Sequence, residues 1–192
     1  MNNNNNIGKI DVIKSRCNVL AKIINSIKEI YYSSDENQKA FIQTIIGAAI
    51  WYIPKPKNCW TGMISTELIK NFFSTDGKKI KISEEHVIPR KYAAKELLEE
   101  KQILTPEYVE EKYLTEYSKL HYITSDENKK VIKYQKTSEY NKNYLSEPYE
   151  KAEINLIEIN TIILKEFKEG KIKNDDELSI RLKATTTAHN KR

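Results

Sequence analysis

The sequence predicts a mainly α fold carrying a small β-hairpin. Apolar residues recur at spacings of three and four through most of the chain, which is the helical period. Only five glycines and five prolines punctuate 192 residues, too few for a large sandwich of turns and strands. The period changes to two only around Lys79-Ile80-Lys81-Ile82-Ser83. The length is that of one domain.

Ile10, Ile13, Cys17, Leu20, Ile23, Ile24, Ile27 and Tyr31 mark one long amphipathic helix over Ile7–Tyr31, interrupted by Ser33-Ser34-Asp35. A second helix follows from Glu36 to Tyr52. Phe41, Ile45, Ile46, Ala48, Ala49 and Ile50 make it apolar nearly all round and so a buried core element, and Pro54 and Pro56 stop it. Ser65 caps a short helix, Thr66–Phe73, and Asp76-Gly77 is a turn signal. A strand or hairpin arm covers Ile80–Ile88, ended by Pro89. Helical patterns resume over Lys91–Lys101, and from Pro106, placed just after the Thr105 cap, to Leu120. His121–Thr124 is short enough for a second strand, and Ser125-Asp126-Glu127-Asn128 opens a helix that Val131, Ile132 and Tyr134 carry to about Lys136. Thr137–Ser146 is a polar loop. Two last helices are expected over Tyr149–Glu169, closed by Gly170, and over Asp175–Lys183, capped by Asn174. The organisation is then a disordered asparagine run at 1–6, a single helical domain at 7–183 and a flexible tail at 184–192.

Composition narrows the function classes. With 39% hydrophobic and 31% charged residues the chain can build a core under a well-solvated surface. A net charge of +5 permits a polyanionic partner without requiring one. The longest uncharged apolar stretch, between Ala40 and Pro54, is too short to span a bilayer, and no secretion signal opens the chain, so no membrane partner is expected. Cys17 and Cys59 stand far apart without a Cys-x-x-Cys partner, which argues against a disulfide framework or thiolate zinc site and for a reducing, cytoplasmic setting.

Chemistry concentrates at Glu84-Glu85-His86-Val87-Ile88-Pro89-Arg90. A histidine beside carboxylates at a strand end suits acid–base work, because imidazole titrates near neutrality. Further on, Ile123-Thr124-Ser125-Asp126-Glu127-Asn128-Lys129-Lys130 puts Asn128, a polar oxygen donor, in the first turn of a helix.

Together, Glu85-His86-Val87-Ile88-Pro89 and Thr124 through Lys130 resemble the HNH family of the His-Me (ββα-metal) finger nucleases. That family's first motif reads Asp/Glu-His-x-x-Pro, and its second opens a helix with Thr-x-x-x-Asn-Lys/Arg. Trp60-Thr61-Gly62-Met63-Ile64-Ser65 also looks similar to a stretch preceding the Glu-His motif in restriction-type members. The resemblance implies a helical domain with a central ββα-metal finger at about 80–136, without structural zinc because the paired cysteines are missing.

It further implies that His86 is the general base and that Glu85 and Asn128 ligate one Mg2+ or Mn2+ per active site. Arg90 acts beside the base. Arg90, Lys91, Lys129, Lys130 and Lys133 contact phosphates, whose binding would depend steeply on salt. Glu84, Asp126 and Glu127 are alternative ligands, or solvated and helix-start acids. His121 either braces the site or packs, and Trp51 and Trp60 are read as core residues rather than as base-stacking platforms. The implied protein is a type II restriction or other phage-defence enzyme that hydrolyses double-stranded DNA as a homodimer, with the Ile7–Tyr31 helix as interface. The alternatives are a non-catalytic DNA-binding protein and an RNA-cleaving toxin built on the same finger.

Overall fold

A computed structural model describes residues 4–75, 80–137 and 146–189. The Asp76-Gly77 turn, residues 138–145 of the polar loop and the last residues of the tail lie outside the described residues. The chain forms two compact units. One comprises the residues up to Cys59 with His86–Leu120, and the other Trp60–Glu85 with the residues from His121 onward.

The first unit is helical: α1 (Asn4–Ser33), α2 (Glu36–Trp51), α4 (Arg90–Glu99) and α5 (Pro106–Lys112), which runs into a π-turn at Tyr113–Tyr117. Helix α1 forms where its periodicity predicts and buries Ile13, Cys17, Leu20, Ile24 and Tyr31. It starts at Asn4, inside the asparagine run. Asp35 then separates α1 from α2 with a capping box, its carboxylate accepting from Gln38 N while the Gln38 side chain accepts from Asp35 N. Contrary to expectation, α2 is not buried all round. Ile46, Gly47 and Ile50 are buried, while Phe41, Ile45 and Trp51 are exposed, because one narrow face packs on α4. At Gly47 a Cβ would lie 3.1 Å from Arg90 O, so glycine is what lets the two backbones approach.

Asn25 ties α1 to the segment before α5 in both directions, donating to Leu104 O (2.8 Å) and accepting from Leu104 N (2.9 Å). Burial pushes the Cys17 thiol up to about 12, which keeps it a protonated core group. The helix expected over Pro106–Leu120 is shortened. The π-turn closes with Ser118 N donating to Tyr113 O (3.0 Å), and the chain becomes extended at Leu120.

The second unit holds α3 (Thr66–Ser74), α6 (Ser125–Thr137), α7 (Glu147–Lys151), α8 (Thr161–Lys168) and α9 (Asp175–His189). The strands β1 (Trp60–Ser65), β2 (Ser83–His86), β3 (Leu120–Ile123) and β4 (Leu156–Glu158) form one sheet in the order β2-β3-β1-β4. This replaces the expected hairpin: β2 and β3 are neighbours but distant in sequence, and β1 and β4 were not anticipated. Strand β1 lacks a period-two pattern because Gly62 interrupts it. At φ +93° that residue takes a conformation open to glycine, and a Cβ there would sit 3.1 Å from Ile159 O. The Trp-Thr-Gly stretch therefore has a local structural cause. Strand β4 pairs antiparallel with β1, Ile64 opposite Ile157.

The helix expected over Tyr149–Glu169 is likewise broken into α7, β4 and α8. Glu153 adopts φ +56°, which ends α7, and Asn160 starts α8 by accepting from Ile163 N (2.9 Å). Helix α9 begins at the Asn174 cap as expected, Asn174 Oδ1 accepting from Glu177 N (2.9 Å), and continues to His189. One core gathers Ile64, Leu68, Phe72, Ile163, Phe167 and Ile172 from β1, α3, α8 and the approach to α9; a second joins Ile123 and Val131 to Tyr149 and Ile154.

Candidate functional site

Glu85 and His86 are the last two residues of β2, and each is set in its own unit. In the second unit, Glu85 is buried, at 6% exposure, and its Oε1 accepts from Gln135 Nε2 (2.9 Å) on α6. Ser83, two residues earlier and so on the same face of the strand, has its hydroxyl accepting from Asn128 Nδ2 (2.9 Å). Asn128 and Gln135 lie two helical turns apart and share the α6 face that meets β2. The two predicted oxygen donors, Glu85 and Asn128, are therefore brought onto one strand–helix face. Asn128 Oδ1 is buried and has no hydrogen-bond partner among the described residues, so an acceptor is held ready on that face.

Thr124 and Glu127 set where α6 begins. Thr124 Oγ1 accepts from Glu127 N (3.2 Å) and Glu127 Oε2 accepts from Thr124 N (2.8 Å), a reciprocal capping box. The same Oε2 accepts from Ser65 Oγ (2.7 Å), and Ser65 caps α3 by accepting from Leu68 N (3.1 Å). Glu127 thus spends its carboxylate on the starts of two helices, and its alternative reading as a ligand gives way to a structural one. Asp126 and Lys129 pair with each other in solvent (2.8 Å), and that contact holds the Asp126 carboxyl below its usual range. Lys130 and Lys133 are exposed, as is Glu84.

His121, on β3, packs against Tyr149 with ring centroids 5.3 Å apart. Its Nδ1 is buried without a partner among the described residues, and burial lowers its pKa to about 4. It is a packed, neutral ring. The sign of its pH linkage follows: the unfolded chain takes up the proton first, so the stabilisation is whole above 6.5 and is lost as pH falls through that value towards 4. Chemical denaturation at pH 7 and pH 5 should show the parent losing about 2 kcal/mol more than His121→Phe. Equal losses in the two proteins would remove the assignment.

In the first unit, His86 sits on Trp51, ring centroids 4.8 Å apart and planes at 57°. Its Nδ1 lies 3.3 Å from Tyr117 O, the last carbonyl of the π-turn. A carbonyl can only accept, so Nδ1 carries the proton of the neutral ring and the basic lone pair is left at Nε2, which lies out of solvent contact. Arg90, the first residue of α4, places its guanidinium 4.2 Å from the Trp51 ring centroid, and Lys91 is exposed beside it. His86 and Arg90 thus converge on an aromatic residue expected in the core, whereas Trp51 is 41% exposed. Trp60 does pack, stacked on Tyr122 at 5.1 Å.

Ser83 and Gln135 were not anticipated as parts of the site, and Trp51 was expected in the core rather than as a base-stacking platform. The seven-residue spacing from Asn128 was a signal for Gln135; the sequence held none for Trp51.

Among the described residues, no group of three or more His, Cys, Asp or Glu side chains could hold a metal ion. A centre of Glu85 and Asn128 would instead rest on two protein oxygens. Oxygens of this kind suit a hard cation that retains several waters, and the orphaned Asn128 Oδ1 is an acceptor such an ion would satisfy. Glu85, however, pairs with Gln135, two helical turns along α6 from Asn128. No helix of the described residues is long and apolar enough to cross a membrane. No family model, curated protein or solved structure matches this chain.

Proposed function

We propose that the chain is a metal-dependent endonuclease that hydrolyses DNA phosphodiesters, with His86 as general base. The observation that carries this reading is the Nδ1 contact to the Tyr117 carbonyl, which fixes the imidazole with its lone pair at Nε2. An imidazole held in this tautomer can take a proton at Nε2 without first rearranging.

Glu85 and Asn128 would hold one Mg2+ or Mn2+. Bound there, the ion would neutralise charge gathering on the phosphate and leaving oxygen. Asn128 is aimed for this by its Nδ2 bond to Ser83, and Glu85 by Gln135. Arg90, Lys91, Lys130 and Lys133 would contact backbone phosphates, and Lys129 would do so in competition with Asp126. A duplex cut needs two such sites, hence a homodimer through α1. That helix exposes Val12, Val19, Ile23 and Ile30 along one stripe. Restriction or another form of phage defence is the role this chemistry suits.

The test is nicking of supercoiled plasmid with Mg2+, Mn2+ or EDTA, with an RNA of matched length in parallel. Nicking only with the divalent ion is expected, and Asn128→Ala should raise the metal concentration for half-maximal rate by about 10- to 100-fold. Cleavage of RNA alone would change the substrate to that of a toxin. Binding without cleavage of either would leave a DNA-binding protein.

A further inference from the structure

Trp51 ends α2 with 41% of its surface exposed, and cations surround its ring: Arg90 Cζ at 4.2 Å and Lys55 Nζ at 5.4 Å from the centroid. Large aromatics are normally withdrawn from water, yet Trp51 stays exposed beside Tyr52, while Ile50 before it is buried. Among the described residues no acidic side chain pairs with Arg90; its guanidinium lies against the indole, 4.2 Å from the ring centroid, and a guanidinium's N–H donors suit a phosphate. An exposed indole beside positive charge is the combination that takes a nucleotide, base or sugar against the ring and phosphate on the cations. The imidazole of His86 lies against the same indole.

We propose that Trp51, Arg90 and Lys55 form a contact site for one nucleotide of a strand with accessible bases, next to His86. The inference rests on the nuclease reading for its place in catalysis, but its binding chemistry stands apart from it. Arg90 and Lys55 hold the phosphate and Trp51 holds the base. Trp51 thereby selects single-stranded or locally opened nucleic acid over closed duplex, whose bases are stacked away from such a ring.

The test is titration of the full chain with a twelve-residue oligothymidylate in EDTA, following tryptophan emission. Trp60, packed on Tyr122, supplies a constant background. Quenching is expected in the parent and not in Trp51→Ala, whose affinity should fall about tenfold or more. The closed duplex of equal length should bind without quenching. Quenching that persists in folded Trp51→Ala, or an affinity that does not change, overturns the proposal. Should Trp51→Ala fail to fold by circular dichroism, Lys55→Gln combined with Arg90→Gln decides: the slope of log K against log salt should drop by about 0.7 per lost phosphate contact, and an unchanged slope overturns the site. The two readings fail separately. Trp51-dependent binding without nicking removes the nuclease alone; His86-dependent nicking with Trp51-independent binding removes this site alone.

Discussion

His86→Ala is expected to slow metal-dependent nicking by about 100- to 10,000-fold, the usual worth of a positioned general base. The reason is specific to one nitrogen. With Nδ1 turned to Tyr117 O at 3.3 Å, Nε2 is the basic atom, and an alanine supplies nothing in its place. His86 also packs on Trp51, so a fall in rate alone would not separate chemistry from packing. His86→Gln makes the separation: its amide can still donate to Tyr117 O and fill the space beside the indole, yet it has no basic nitrogen. Both variants should bind oligonucleotide with near-parental affinity and share the deep loss of nicking. Parental nicking by His86→Gln would show that the ring serves structure and would end the general-base assignment.

The sequence carried what depends on near neighbours. Ile13, Cys17, Leu20, Ile24 and Tyr31 lie at helical spacings and all are buried in α1, and Asp35, Ser65, Thr105 and Asn174 cap the helices they precede. It did not carry features that depend on distant parts of the chain. Strand β4 is three residues inside an apolar run that reads equally as helix; what makes it a strand is its partner β1, far away in sequence. Helix α2 has apolar residues on every side, and only the packing of one face on α4 decides which are buried. The same division runs through the site. Adjacency of Glu85 and His86 could be read directly, as could Asn128 in a first helical turn. Of the contacts that orient them, from Gln135, Ser83 and Tyr117, only the one from Gln135 has a local signal, its seven-residue spacing from Asn128; no local pattern connects the Ser83 and Tyr117 contacts to the motif.

Glu127→Ala should be among the most destabilising changes in the second unit, by about 2–4 kcal/mol in chemical denaturation. The side chain is 8% exposed, and one oxygen, Oε2, accepts from Ser65 Oγ at 2.7 Å and from Thr124 N at 2.8 Å. Alanine removes the acceptor and strands the Ser65 hydroxyl in a buried position while it still caps α3. The capping box of α6 is undone by the same change. Hydrogen bonds to a carboxylate are stronger than those to a neutral oxygen, so Glu127→Gln, which keeps an acceptor without the charge, should recover about half of the loss. The pair of variants also discriminates function from framework. A residue that caps two helices lowers stability in the graded order glutamate, glutamine, alanine, and leaves the metal dependence of folded protein near that of the parent. A residue that ligated the ion would do the reverse, since glutamine would weaken the metal response with little change in stability. Because Asn128 follows directly on Glu127, the first outcome would also mean that the helix start presenting Asn128 to β2 is held by Glu127, one residue earlier in sequence.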